Sequence, residues 1–176
     1  MGALHAELAK AEGAAEVIIM GRSETRLALL RRLHKVLLVD GTRQDVAAVL
    51  AERTNGLGAD VVIVCAPTRQ AMEQALQYAR KGGAVSLFAS LPKGDSEITC
   101  DSRVIHYGEI RVAGSSDSRP EHVETAIRLM AAGKVNTQDV ITHRIKLADI
   151  HRGLDLMKNR QCLKVLVYPN GVEDEA

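Results

Sequence analysis

The sequence predicts an α/β fold built on a doubly wound parallel sheet. Short runs rich in Val, Ile and Leu recur without strict alternation of apolar and polar residues, which is typical of strands covered on both faces. The segments between them carry one apolar stripe at helical spacing, as expected of helices that pack on a sheet. Strand and helix alternate at roughly the length of a βαβ unit, which favours right-handed crossovers. The runs are VIIM at 17–20, VLLV at 36–39, VVIV at 61–64, AVSLF at 84–88 and IRVAG at 110–114.

Glycine and proline mark where the predicted helices begin and end. The helical stripes are Leu27, Leu30 and Leu33, then Val46, Val49 and Leu50, then Met72, Ala75, Leu76 and Ala79. Gly56 and Gly58 are predicted to end the second of these helices, and the KGG run at 81–83 the third, because glycine readily takes the left-handed conformation that follows a helix. Pro120 predicts the start of another helix, which Gly133 ends.

The last part of the chain has a different pattern. ITHRIKL at 141–147 alternates between apolar and polar residues, a helix is predicted over 148–159, and LKVLVY at 163–168 predicts a final strand. We expect these elements to belong to another layer. The acidic ending GVEDEA at 171–176 is expected to fray.

Composition narrows the classes of function. The 176 residues are 46% hydrophobic, which is enough for one domain with a sizeable core. With one Phe, three Tyr, no Trp and a net charge of +1, nucleic acid is not expected as a partner. The spacing of Cys65, Cys100 and Cys162 fits neither a disulfide framework nor a zinc site, which indicates a reducing compartment. No secretory leader and no long apolar run is seen, so we expect a cytoplasmic protein outside the membrane.

The end of the VIIM run is the most informative strand end. In a dinucleotide-binding fold, the second strand ends at the adenosine ribose, where an acidic residue selects NAD and an arginine accommodates the 2′-phosphate of NADP. Here Gly21 leaves room, Arg22 supplies planar donors and Ser23 adds a hydroxyl, with Arg26 one helical turn further on. NADP is therefore predicted over NAD. The alternative is a plain turn in which Ser23 caps a helix, Glu24 complements the helix dipole and Arg22 is solvated.

The other strand ends offer no catalytic constellation. The residues that follow the last three runs are small or polar, which suits close approach of the backbone to an extended ligand. The histidines lack metal-ligand spacing. His106 and Tyr107 beside Glu109 resemble an acid–base group, but no nucleophile or metal partner accompanies them, so packing is the favoured interpretation.

Several stretches in the right order closely resemble one family. They are TNGLGADVVIVCAPT, EQALQYARKGGAVSLFASLPKG, IHYGEIRVAGSS, IRLMAAGKV, ITHRIKLADI and LMKNRQCLKVLVYP. They resemble the carboxyl-terminal half of zinc-type medium-chain dehydrogenases, nearest to the polyol, sorbitol or threonine dehydrogenase branch. The resemblance extends from about Gly2 to Pro169.

This resemblance implies a Rossmann-like dinucleotide-binding domain over 1–140, a segment over 141–170 that returns to the catalytic domain, and an acidic tail over 171–176. It implies that Gly2 is the third glycine of the GxGxxG turn. The resemblance further places Ala66 and Pro67 along the adenosine, and the backbones of 88–91 and 115–116 at the nicotinamide. The cofactor-binding residues it implies in these two ranges are Phe88, Ser90, Leu91, Ser115 and Ser116.

The departures from the family pattern limit what this chain is expected to do alone. The family's amino-terminal domain with its zinc ligands, its first strand and the first two glycines have no counterpart in this sequence. We therefore expect no catalytic residue and no zinc ligand here, and an incomplete, inactive dehydrogenase part. The absent strand leaves a slot between VIIM and VVIV, and LKVLVY is hypothesised to pair there or in a second copy.

The resemblance also bears on assembly and on the parent reaction. The resemblance implies that the strand around IRVAG pairs across a homodimer, and the parent reaction would be hydride transfer between a secondary alcohol and the nicotinamide. One alternative is a nucleotide-binding or interaction module without catalysis. The other is a different Rossmann-like enzyme, such as a methyltransferase.

Overall fold

A computed structural model describes residues 1–171 of the chain. In chain order the elements are α1 (Gly2–Ala11), β1 (Ile18–Gly21), α2 (Glu24–Leu30), β2 (Leu37–Asp40), α3 (Val46–Arg53), β3 (Ala59–Ile63), α4 (Arg69–Tyr78), β4 (Ala79–Leu87), α5 (Ser102–Gly108), β5 (Arg111–Gly114), α6 (Pro120–Ala131), β6 (Ile141–Lys146), a 3₁₀ turn (Leu147–Asp149), α7 (Ile150–Lys158) and β7 (Lys164–Tyr168). This alternation of helices with parallel strands confirms the predicted α/β class. None of the helices described is both long and apolar enough to cross a membrane.

The strands form three hydrogen-bonded groups, all parallel. Their orders are β1-β2, β3-β4-β5 and β6-β7. The hypothesis that the final strand fills the slot beside β1 or β3 of its own chain is wrong, because β7 pairs with β6 from Ile141↔Lys164 to Lys146↔Tyr168. The connecting helix explains this choice. A Cβ on Gly153 of α7 would lie 2.6 Å from Ile145 Cδ1, so α7 packs closely on β6 and returns the chain beside it.

The fourth strand begins earlier than predicted. Helix α4 ends at Tyr78, so the predicted end at the KGG run is wrong, and β4 already pairs at Ala79 with Ala59. Close backbone approach explains the glycine in this run. A Cβ on Gly83 would lie 2.8 Å from the carbonyl oxygen of Arg80 and 3.1 Å from that of Asp60. The other breakers act as predicted: α6 begins at Pro120, and Gly133 has a positive φ of 66° just after it.

The chain forms two compact units. Among the described residues, unit 1 comprises Met1–Arg43 together with 120–171, and unit 2 comprises Gln44–Arg119. The buried apolar core of unit 1 consists of Ala3, Ala6, Leu27, Leu30, Leu33 and Val140. That of unit 2 consists of Val64, Met72, Ala75, Leu76, Val85 and Ile110. The domain boundary expected at residue 140 stays a prediction.

Candidate functional site

The turn between β1 and α2 in unit 1 carries the residues predicted at the ribose. Strand β1 ends at Gly21, and Ser23 is the N-cap of α2, where its Oγ accepts a hydrogen bond from the Arg26 backbone N–H at 3.4 Å. Ser23 therefore caps α2, as the alternative interpretation of the sequence predicted. Capping does not exclude a second role, because a hydroxyl that accepts one bond still has its own proton to donate. Arg22 lies between the strand end and the cap.

Gly21 is held against the core by Leu27. A Cβ at position 21 would lie 2.8 Å from Leu27 Cδ2 and 3.1 Å from Leu27 Cγ. Leu27 is 9% exposed and belongs to the core of unit 1, so its freedom to move away is limited. The small residue at the strand end thus has a packing cause in addition to the room it leaves for a ligand.

The end of β2 lies directly beside this turn. Asp40 is the register partner of Gly21, and the Gly41 N–H donates to the Gly21 carbonyl oxygen at 2.9 Å. Asp40 Oδ1 accepts hydrogen bonds from Thr42 Oγ1 at 2.6 Å and from the Thr42 backbone N–H at 2.9 Å. These hydrogen bonds lower the pKa of the Asp40 carboxyl.

Arg43 links the two strand ends electrostatically. Its Nε lies 3.6 Å from Asp40 Oδ2, and its Nη2 lies 3.6 Å from Glu24 Oε2 in the first turn of α2. Sequence reasoning missed Asp40, Thr42 and Arg43. The signal was available, because DGTR follows the apolar run VLLV just as GRS follows VIIM.

Helix α1 begins at Gly2, the residue assigned to the phosphate turn. Its first intrahelical bonds are donated by the N–H groups of Leu4 and His5 to the Met1 carbonyl oxygen. Buried Glu7 fixes the helix in unit 1. One carboxylate oxygen lies 2.5 Å from Lys10 Nζ, and the other accepts the Asn136 backbone N–H at 3.3 Å.

Unit 2 brings the remaining predicted residues to one sheet edge. Ile63 pairs with Ser86 and Leu87 pairs with Gly114, so the carboxyl ends of β3, β4 and β5 lie at the same level. The Ala89 N–H donates to the Val64 carbonyl oxygen at 2.8 Å, which ties the first two strand ends together. The residues that follow the three strands are Ala66, Pro67, Phe88, Ser90, Leu91, Ser115 and Ser116.

Unit 2 also carries the Cys65 thiol and the pair of His106 and Tyr107. Burial raises the pKa of the half-buried Cys65 thiol, which keeps it protonated and weakly nucleophilic at neutral pH. His106 packs edge-on against Tyr107 with ring centroids 4.8 Å apart, and the Arg103 guanidinium lies 4.9 Å from the Tyr107 centroid. No group of three or more His, Cys, Asp or Glu side chains able to hold a metal occurs among residues 1–171.

Known proteins resemble this chain along most of its length. The family profile described as "Zinc-binding dehydrogenase" matches residues 1–132. An L-threonine 3-dehydrogenase from Caldanaerobacter subterraneus subsp. tengcongensis is 29% identical over 96% of the chain, and a sorbitol dehydrogenase from Halalkalibacterium halodurans is 32% identical over 96%. The chain spans 49% of the length of each.

One related protein of known structure has a similar fold and contains a bound cofactor. A protein from Sinorhizobium meliloti 1021, described as a zinc-binding dehydrogenase and bound to NADP, is 31% identical with a TM-score of 0.80. The match covers 95% of this chain and 49% of that one. The family profile covers most of the sequence, and the fold agrees with it. The chain therefore belongs to the zinc-binding dehydrogenase family.

Proposed function

We propose that this chain binds NADP, in preference to NAD, for a dehydrogenase that transfers hydride between a secondary alcohol or polyol and the nicotinamide. The observation that supports this proposal is the β1–α2 turn. In this turn Gly21 ends β1, and Arg22 and Ser23 follow it directly. Folds that select NAD carry an acid at the end of the corresponding strand, and this chain has a glycine there. The NADP in the related Sinorhizobium meliloti protein agrees with this choice.

Within unit 1, the proposed roles follow from donor chemistry. The planar guanidinium of Arg22 can donate two parallel hydrogen bonds to a phosphate, and the Ser23 hydroxyl can donate a third while its oxygen still caps α2. Arg26 lies one helical turn beyond Arg22 and adds positive charge. Gly2 offers backbone approach at the start of α1.

Within unit 2, the proposed contacts are made mainly by the backbone. Ala66 and Pro67 after β3 would lie along the adenosine. The residues after β4 and β5 would meet the nicotinamide through peptide groups. Those residues are Phe88, Ser90, Leu91, Ser115 and Ser116. They position a cofactor and exclude water, and none of them is assigned a proton-transfer step.

None of the residues named above is proposed to bind zinc. The described part of the chain contains no ligand cluster that fits a metal ion, so the residues present do not match the metal for which the family is described. We derive no step through zinc.

We further propose that β5 forms a homodimer contact. In the part of the chain that the structure describes, β5 pairs with β4 on one side, and all four of its residues are exposed. An open edge presents unpaired backbone groups to a second strand. Two copies of β5 can pair through this edge and extend the sheet across the dimer.

Calorimetric titration of the full chain with NADPH, NADH and S-adenosylmethionine tests the cofactor proposal. We expect NADPH to bind at least tenfold more tightly than NADH, since each charge-assisted hydrogen bond to the extra phosphate contributes about tenfold or more. Arg22→Gln should reduce this preference about tenfold. The matched Arg32→Gln variant should keep it, because Arg32 is exposed and lies two residues beyond the end of α2.

Two results would contradict the proposal. Equal binding of NADPH and NADH would remove the assigned 2′-phosphate recognition while leaving dinucleotide binding. Tight binding of S-adenosylmethionine, without either dinucleotide, would favour the methyltransferase alternative in spite of the family match.

A further inference from the structure

Arg43 approaches the candidate ribose turn from the neighbouring strand. Its two ion-pair partners flank that turn: Glu24 directly follows Ser23, and Asp40 is the register partner of Gly21. The Arg43 backbone N–H also donates to the Asp40 carbonyl oxygen at 3.0 Å, which turns the chain back toward β1. A second guanidinium thus lies beside the turn that carries Arg22.

The ion pairs of Arg43 are loose. Charge-assisted hydrogen bonds between a guanidinium and a carboxylate are typically about 2.7–2.9 Å long, whereas both pairs here measure 3.6 Å. The Arg43 and Glu24 side chains are 70% and 82% exposed, so water screens their attraction. Arg43 can therefore exchange a carboxylate for a stronger anion at little cost.

A phosphate monoester is such an anion. It carries nearly two negative charges and three strong acceptor oxygens, against one charge and two oxygens for Glu24. Asp40 differs from Glu24, because Thr42 holds its carboxylate in place through two hydrogen bonds. Asp40 can keep the Arg43 side chain at the turn while Glu24 releases it.

We infer that Arg43 is a second cation for the adenosine 2′-phosphate, and that Glu24 is the carboxylate which competes with that phosphate for it. The inference rests on the proposed NADP-binding function and adds a specificity-determining residue to the same site. It makes two opposite predictions. Loss of Arg43 should weaken binding of the phosphate, and neutralising Glu24 should strengthen it.

The test is calorimetric titration of the full chain with adenosine 2′,5′-bisphosphate, 5′-AMP and inorganic phosphate. Arg43→Gln should weaken bisphosphate binding about tenfold, the loss expected for one charge-assisted hydrogen bond, and leave 5′-AMP within about twofold. Glu24→Gln should strengthen bisphosphate binding by about twofold to fivefold, since a weak surface ion pair no longer competes. Arg32→Gln is the matched control and should change neither ligand. Thermal melting by circular dichroism checks that each variant is folded.

The outcomes separate the inference from the proposed function. If Arg43→Gln and Glu24→Gln leave bisphosphate affinity unchanged while Arg22→Gln lowers it, the inference is wrong and the proposed function stands. If the unaltered chain binds neither nucleotide, both are wrong. If inorganic phosphate binds as tightly as the bisphosphate and is equally sensitive to Arg43→Gln, the site is a general anion site and the assignment to adenosine fails. Should Arg43→Gln not fold, the Glu24→Gln result alone decides.

Discussion

Glu7 is predicted to be the main polar anchor of α1. It is 3% exposed, one carboxylate oxygen lies 2.5 Å from Lys10 Nζ, and the other accepts the Asn136 N–H at 3.3 Å. Lys10 Nζ in turn donates to the His34 carbonyl oxygen at 2.8 Å. This network joins the helix that begins at Gly2 to two other segments of unit 1.

Glu7→Ala should lower the free energy of unfolding by about 2–4 kcal/mol. A hydrogen bond to a charged group contributes about 1.5–3 kcal/mol, and a buried N–H left without an acceptor costs about 1–3 kcal/mol. Water that partly reaches the N–H reduces this cost, so the expected loss is smaller than the sum. The melting temperature should fall by roughly 5–12 °C for a domain of this size. Glu7→Gln keeps one acceptor oxygen, which can serve the buried Asn136 N–H while Lys10 Nζ turns to water, and should lose about half as much.

Urea unfolding and amide hydrogen exchange measure the effect. Glu12→Ala is the matched control, because Glu12 is an exposed residue at the end of the same helix, and it should change stability by less than about 0.5 kcal/mol. The Asn136 amide should exchange faster in Glu7→Ala than in Glu7→Gln. If Glu7→Ala is as stable as Glu12→Ala and the Asn136 amide stays protected, Glu7 is not an anchor.

Three further predictions concern other parts of the two units. Hydrogen bonds from Thr42 lower the pKa of Asp40, so the stability that this carboxylate contributes is present above the ordinary value of 3.8 and is lost as the pH falls through the lower folded-state value. Asp40→Asn should therefore lose less stability than the unaltered chain on acidification below about pH 4. Melting temperatures that fall in parallel for the two proteins would contradict this. Ala113→Lys places a charge on the exposed edge strand β5 and should convert a dimer to a monomer in light scattering, whereas an unchanged mass would exclude this edge. Gly83→Ala should destabilise unit 2 by about 1–3 kcal/mol in urea unfolding, because its Cβ would meet the backbone oxygen of Arg80 at 2.8 Å, and wild-type stability would show that the strand start can relax.

Local sequence patterns predicted the strands better than their pairing. The runs at 17–20, 36–39 and 110–114 each fall within a residue or two of an observed strand, although the four residues of β5 are exposed. The start of β4 was missed because Ala79 continues the apolar stripe of α4, yet tertiary pairing with Ala59 places it in the sheet. The pairing of β7 with β6 was also missed, because it too depends on tertiary packing. Strand pairing depends on packing such as that of Gly153 on Ile145, which no single segment encodes.

The sequence predicted the site residues that directly follow one strand, and it missed those that come close only because two strands pair. Arg22 and Ser23 come directly after an apolar run, so inspecting that strand end was enough to find them. Arg43 acquires its place from the pairing of Gly21 with Asp40, which brings residues far apart in sequence to one edge. The capping bond of Ser23 also shows that a structural role and a proposed binding role can share one side chain.

The contact between Gly21 and Leu27 has an evolutionary consequence. A carboxylate at position 21 is the simplest route from NADP to NAD selectivity, but its Cβ would press on the core side chain at position 27. The atom nearest to that Cβ is the tip of the Leu27 side chain, so a lineage can change cofactor by this route if Leu27 takes another rotamer in the core. We therefore expect an acid at position 21 to be compatible with leucine at 27, at the cost of a shift of that side chain.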